Sequence, residues 1–184
     1  MELGDLLPYL TQEYHYWVSE QRDFYLANAR PLSNEERALL QRYFDERILS
    51  LTRIATTECI SNPAFYSKLT GLGTLTLMDF SRASAMTLID CVLICERFEH
   101  TFSLWTSILF HEMVHVVQCD ILGLTKLIEL YITEWLRNQC QYENVLLESQ
   151  AYRLEREFDR QEPPFSVRQI VEQELTKLAK QTQS

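Results

Sequence analysis

Apolar residues in this chain recur at spacings of three and four over most of its length, and in two places the rhythm shortens to that of a strand. Residues three and four apart share one face of a helix, whereas alternate residues of a strand share a face. The first thirty residues, with Tyr9, Tyr14, Tyr16, Trp17, Phe24 and Tyr25, predict one or two helices packed on the rest. Ser33 or Asn34 can cap the next helix, with Glu35 and Glu36 in its first turn and Leu39, Leu40, Tyr43 and Phe44 on its apolar side. From Arg47 to Ile54 the pattern alternates, Ile48, Ser50, Thr52 and Ile54 against Leu49, Leu51 and Arg53, which predicts a partly buried strand. Asn62-Pro63 and Gly71-x-Gly73 mark turns.

A second strand is predicted from Met86 to Ile94, a short and almost continuous apolar run with β-branched members. The next helix starts at a cap on Thr101 or Ser103, counts Leu104, Ile108, Val116 and Ile121 among its buried residues, and stops at Gly123. Leu124 to Asn138 and Tyr142 to Phe158 read as two more helices. After Pro163-Pro164, the spacing of Val167, Ile170, Val171, Leu175 and Leu178 gives a last amphipathic helix. There is no internal repeat. The pattern predicts an α+β fold, a mostly helical single domain with a small β-sheet.

Composition narrows the function classes. A chain of 184 residues, 46% hydrophobic and 23% charged, is the size and make-up of one globular domain. With Asp+Glu at 26 against Lys+Arg at 17 the net charge is −9, which argues against nucleic acid or an anionic membrane as partner. The N-terminus lacks a basic start followed by an apolar core, so no secretory signal is expected, and the most apolar window, Phe102 to Leu122, carries too many polar groups for a membrane span. Five cysteines, Cys59, Cys91, Cys95, Cys119 and Cys140, without C-x-x-C spacing fit reduced thiols in the cytoplasm.

The chemistry is concentrated in residues 109–118, LFHEMVHVVQ, where His111, Glu112 and His115 form H-E-x-x-H. On a helix the two histidines, four apart, lie one turn above another and can send two imidazole nitrogens to one cation, with Glu112 beside the metal rather than on it. A catalytic zinc takes three protein ligands and leaves a fourth position for water, for which a neighbouring carboxylate is a general base. The bland reading is a pair of core histidines, which would bury two imidazoles and a carboxylate and leave them needing partners. A third donor must lie elsewhere. Asp120 sits near the end of the same helix, where it would struggle to reach the ion, and the residue pattern does not choose among Glu129, Glu134, Glu143 and Glu148.

LFHEMVHVVQ, followed by ILGLTKLIELYITEWL and YENVLLESQAYRLEREF, resembles a family of uncharacterised bacterial gluzincin-like zinc metallopeptidase domains. That family pairs an H-E-x-x-H-x-x-Q helix with a helix of pattern Y-x-x-x-P-x-E-x-x-A-Y. Tyr142, Glu148, Ala151 and Tyr152 match the second pattern in register, and Leu146 stands where the family has Pro. SRASAMTLIDCVLICERF resembles the strand before the active-site helix, so the likeness covers about two thirds of the chain and leaves residues 1–30 outside it. The resemblance implies a zincin-like active-site helix and Glu148 as third ligand, giving His111, His115 and Glu148, the donor set of thermolysin.

The expected activity is hydrolysis of a peptide bond in a peptide or protein substrate, with Zn2+ as cofactor and Glu112 as base. Tyr152, four residues past Glu148 on one helical face, is the candidate oxyanion donor, against the alternative of a tyrosine packed beneath the site. Gln118 and Asn144 are candidates to orient the ligands, Cys119 is read as a buried thiol, His15 and His100 as structural or exposed, and Glu129 and Glu134 as a solvated helix face. The run from Met86 to Ile94 is either an edge strand along which substrate lies or a plain central strand. The expected organisation is a helical extension over 1–30, a catalytic core over 31–162 and a C-terminal helix over 165–184. The alternatives are a zinc-stabilised protein-interaction module without catalysis, and a latent peptidase plugged by residues 1–30.

Overall fold

The computed structural model describes residues 3–69, 77–98, 101–138 and 141–181. Among these, the chain runs through α1 (Leu3–Leu26), β1 (Arg30–Pro31), α2 (Asn34–Leu40), α3 (Glu46–Leu51), β2 (Arg53–Thr57), α4 (Tyr66–Leu69), β3 (Ala85–Leu88), β4 (Cys91–Cys95), α5 (Phe102–Leu122), α6 (Leu124–Arg137), α7 (Leu146–Asp159) and α8 (Val167–Gln181). It is a mostly helical α+β fold with one small mixed sheet of order β1-β2-β4-β3. β2 and β4 run parallel; β1 on β2 and β3 on β4 are antiparallel.

The sheet carries helices on both faces, and β4 shows why. Val92 and Ile94 join the core formed with α5, α7 and α8, while Cys91, Leu93 and Cys95 join the one formed with α1 and α6. A strand buried on both faces needs no polar alternation, which explains its unbroken apolar run. α5 is buried on most of its circumference in the same way, from Trp105 to Cys119. Gly123 ends it at φ 74°, a left-handed conformation that glycine adopts without steric cost.

Two strand expectations change. The stretch from Arg47 to Ile54 is not one strand: Asp45 accepts from the Ile48 N–H and caps the short α3, so the strand starts only at Arg53. The run from Met86 to Ile94 is two strands joined by Ile89 and Asp90, with Leu88 paired to Cys91. Ile89 holds φ 65°, where a two-residue hairpin usually places Gly, so no residue cue announced the turn.

Elsewhere the expectations meet smaller adjustments. Ser33 caps α2 with Glu36 in a reciprocal capping box. The aromatic N-terminus is the single helix α1. Tyr142–Asn144 form a 3-10 turn, so α7 begins at Leu146, at the position where the family pattern differs. Leu104 is exposed rather than buried. Gly71-x-Gly73, His100 and Cys140 lie outside the described residues.

Candidate metal centre

The seam between α5 and α7 is polar along one line in an otherwise apolar contact. On α5, Ser107, His111 and His115 follow one another at four-residue steps, and on α7, Glu148, Tyr152, Glu155 and Asp159 do so at four, three and four. Such spacing puts each set on one helical face, so two packed helices bring the sets together. His111 and Glu148 are buried and His115 nearly so.

Three donor atoms converge there. His115 Nε2 lies 3.2 Å from His111 Nε2, and Glu148 Oε2 lies 3.3 Å from the latter and 3.4 Å from the former. Donors held about 2.0–2.1 Å from a tetrahedral zinc are about 3.3 Å from one another, so the three atoms already have the spacing of three corners of that tetrahedron.

The outer hydrogen bonds say where the ring protons are. His111 Nδ1 lies 2.9 Å from Glu155 Oε2, and His115 Nδ1 lies 2.7 Å from Gln118 Oε1. Gln118 Nε2 donates to Leu147 O and Gln150 Oε1, which pins its oxygen toward His115. Both Nδ1 atoms therefore donate, and both Nε2 lone pairs face the Glu148 carboxylate. Three electron-rich atoms at that spacing repel one another unless a cation sits among them. A proton is one such cation: burial favours the neutral ring, but Glu148 and Glu155 outweigh it and lift His111 to about 10 when no metal competes. A divalent metal is the other. Burial works to raise the Glu148 carboxyl, yet His115 and His111 hold it well below the usual range, ready as an anionic ligand.

Glu148 is further fixed from α6, where the Tyr131 hydroxyl donates to Oε1 at 2.8 Å and leaves Oε2 for the histidines. The residue lies in the first turn of α7, where the helix dipole favours a carboxylate. Glu112 is buried on the same wall, and its Oε2 lies 2.7 Å from the Thr87 hydroxyl of β3, which also lies 2.8 Å from Glu112 O. Burial pushes the Glu112 carboxyl up from its ordinary value, against the opposing pull of His115, His111 and the Thr87 hydroxyl. The Tyr152 ring lies 4.5 Å from the His111 ring, centroid to centroid, and lines the same cavity as Glu112, His111, His115 and Glu148.

Of the residues singled out in the sequence, His111, His115, Glu148, Glu112, Tyr152 and Gln118 are thus brought together. Asn144 is not: it is exposed and bonds Gln141. Asp120 points elsewhere, to Arg47 and Arg168. Glu129 is exposed, Glu134 lies near Arg137, and the Glu143 side chain is outside those described. Cys119 is a buried thiol pushed up to about 11 by burial and is not in the converging group. Sequence reasoning missed Thr87, Tyr131 and Glu155. Only Glu155 left a signal, seven residues past Glu148 on one helical face.

The chain matches no family model, no curated protein and no solved structure.

Proposed function

We propose that the chain is a zinc-dependent metallopeptidase of gluzincin-like type, with His111, His115 and Glu148 as ligands and Glu112 as general base. The observation that carries the reading is the spacing of the three donor atoms, 3.2 to 3.4 Å, beside a buried carboxylate that is not one of them. Two imidazoles and one carboxylate suit zinc better than the oxygen-seeking calcium or magnesium. A bound zinc supplies an activated water near neutral pH and polarises a carbonyl oxygen.

The chain's own residues do the rest. Glu112, oriented by Thr87, takes the proton of the attacking water and returns it to the leaving amine. Gln118 and Glu155 hold the imidazole tautomers, and Tyr131 holds the carboxylate. Tyr152, beside His111, is the candidate donor to the developing oxyanion. β3 occupies one edge of the sheet and pairs only with β4 among the described residues, which supports an extended peptide as substrate. The unpaired thiols Cys59, Cys91, Cys95 and Cys119 support a cytoplasmic location, and no described helix is long and apolar enough to cross a membrane.

Zinc stoichiometry and cleavage of an unstructured protein test the reading together. Wild type is expected to hold one zinc, His115→Ala and Glu148→Gln to lose or weaken it, and Glu112→Gln to keep it while activity falls about 10²–10⁴-fold. Wild-type affinity in Glu148→Gln refutes the ligand set. A zinc-loaded, folded wild type with no activity points to the interaction module instead, and no zinc at all leaves a buried imidazolium between two carboxylates.

A further inference from the structure

The donor atoms occupy only part of a cavity of about 620 Å³, inside the roughly 300–1,000 Å³ of sites that enclose organic ligands. It reaches solvent: Leu104 and Tyr142 lie on its wall and are 43% and 41% exposed. Much of the remaining wall is apolar and comes from α1 and α6, which carry none of the three donors, although α6 reaches Glu148 through the Tyr131 hydroxyl. α6 presents Leu124, Ile128 and Trp135 along one face, and α1 presents Tyr14 and Val18, one turn apart. The Tyr14 hydroxyl lies 2.6 Å from that of Tyr66, and its ring stands edge-on to Phe80, which fixes the side chain at the wall. Among the described residues lining the cavity, Arg82 alone has a fixed positive charge, against Asp79, Glu112, Glu148 and Glu155.

We propose that Tyr14 and Val18 of α1, with Ile128 and Trp135 of α6, form a specificity subsite that holds a bulky, uncharged apolar side chain of the peptide cleaved at the metal centre. The inference rests on the hydrolase reading and extends it, because it makes the N-terminal helix part of the substrate site rather than an appendage or a plug. An apolar side chain gains by leaving water at this wall, whereas an acidic one loses its hydration among carboxylates. In an apolar pocket one methylene is worth about 10–200-fold in selectivity, so a whole aromatic ring should be read easily.

The test separates the subsite from the metal. N-phenyl-1-naphthylamine, an uncharged fluorophore with no chelating group, should bind wild type equally with and without EDTA, and at least tenfold more weakly to Val18→Trp, whose ring fills the subsite. Leu124→Trp fills it from the other wall and serves if Val18→Trp does not give a wild-type circular-dichroism melt. With zinc loaded, calorimetry should show 4-phenylbutyrohydroxamate bound at least tenfold more tightly than acetohydroxamate, a preference that the filled variant loses while its affinity for acetohydroxamate stays. Equal affinities for the two hydroxamates in wild type, or wild-type probe affinity in a folded filled variant, overturns the subsite alone. Probe binding with no uptake of zinc overturns the hydrolase reading, and the assignment of a substrate falls with it.

Discussion

Glu112 shows how far one side chain depends on its neighbours. Its carboxylate is buried, and its Oε2 lies 2.7 Å from the hydroxyl of Thr87 on a strand 25 residues away in sequence. A hydrogen bond to a charged group is worth about 1.5–3 kcal/mol, or roughly 10–100-fold in rate when the group is reactive. Thr87→Val is therefore expected to leave zinc stoichiometry unchanged and to lower turnover by that factor; unchanged turnover would show that the hydroxyl serves packing alone. Glu155 acts one shell further out. Its carboxylate accepts from His111 Nδ1 and sharpens the donor at Nε2, so Glu155→Gln should weaken zinc about 10–100-fold in a chelator competition without a change in the circular-dichroism spectrum. Wild-type affinity would remove Glu155 from the centre.

At the scale of elements, the β3–β4 hairpin turns through a strained residue. Ile89 at φ 65° pays about 1–3 kcal/mol for a conformation that β-branched side chains avoid. Ile89→Gly should relieve that strain while giving up a partly buried side chain, so the urea midpoint is expected to move little, against the several kcal/mol lost when a core isoleucine is truncated. A large drop would mean that the tip is held by packing rather than opposed by strain. The same residue explains what the chain concealed. His111, Glu112 and His115 are readable because a single helix sets their geometry, and Ser33 with Glu36 because a capping box is a local contact. The hairpin was unreadable because hairpin tips are recognised by Gly or Asn, and this one has neither at Ile89. α3 was misread as strand because one Asp45 side chain redirected an alternating run. Glu148 needed a family likeness to be chosen from its rivals, and Tyr131 and Thr87 become visible only when α6 and β3 pack against α5.

The whole molecule is tied together by buried charge outside the centre as well. Glu36 accepts from both terminal nitrogens of the Arg30 guanidinium at 2.8 Å, from the Ser33 N–H at 2.7 Å and from the Trp105 indole N–H at 2.8 Å, which links β1, α2 and α5. Burial works to raise its carboxyl, but Arg30, Ser33 and Trp105 together outweigh that and hold it below the usual range. A depressed folded value stabilises the fold above the unfolded carboxylate value of about 4.3, and that stabilisation disappears as pH falls through the folded value. Glu36→Gln should cost about 1–3 kcal/mol at pH 7 by urea unfolding, with the gap to wild type narrowing as the solution is acidified. A gap that stays constant from pH 7 to pH 3 would show that the charge carries none of the effect.

One line of contacts reaches from the centre to the far end of the described chain. His115 leans on Gln118, Gln118 on Gln150, and Gln150 donates to Glu174 of α8, which also receives Arg153. Through Gln118 and Gln150, α8 is thereby linked to the His115 imidazole. On the zinc reading proposed above, reversing the charge at Glu174 is expected to weaken metal affinity at His115 through this line of contacts.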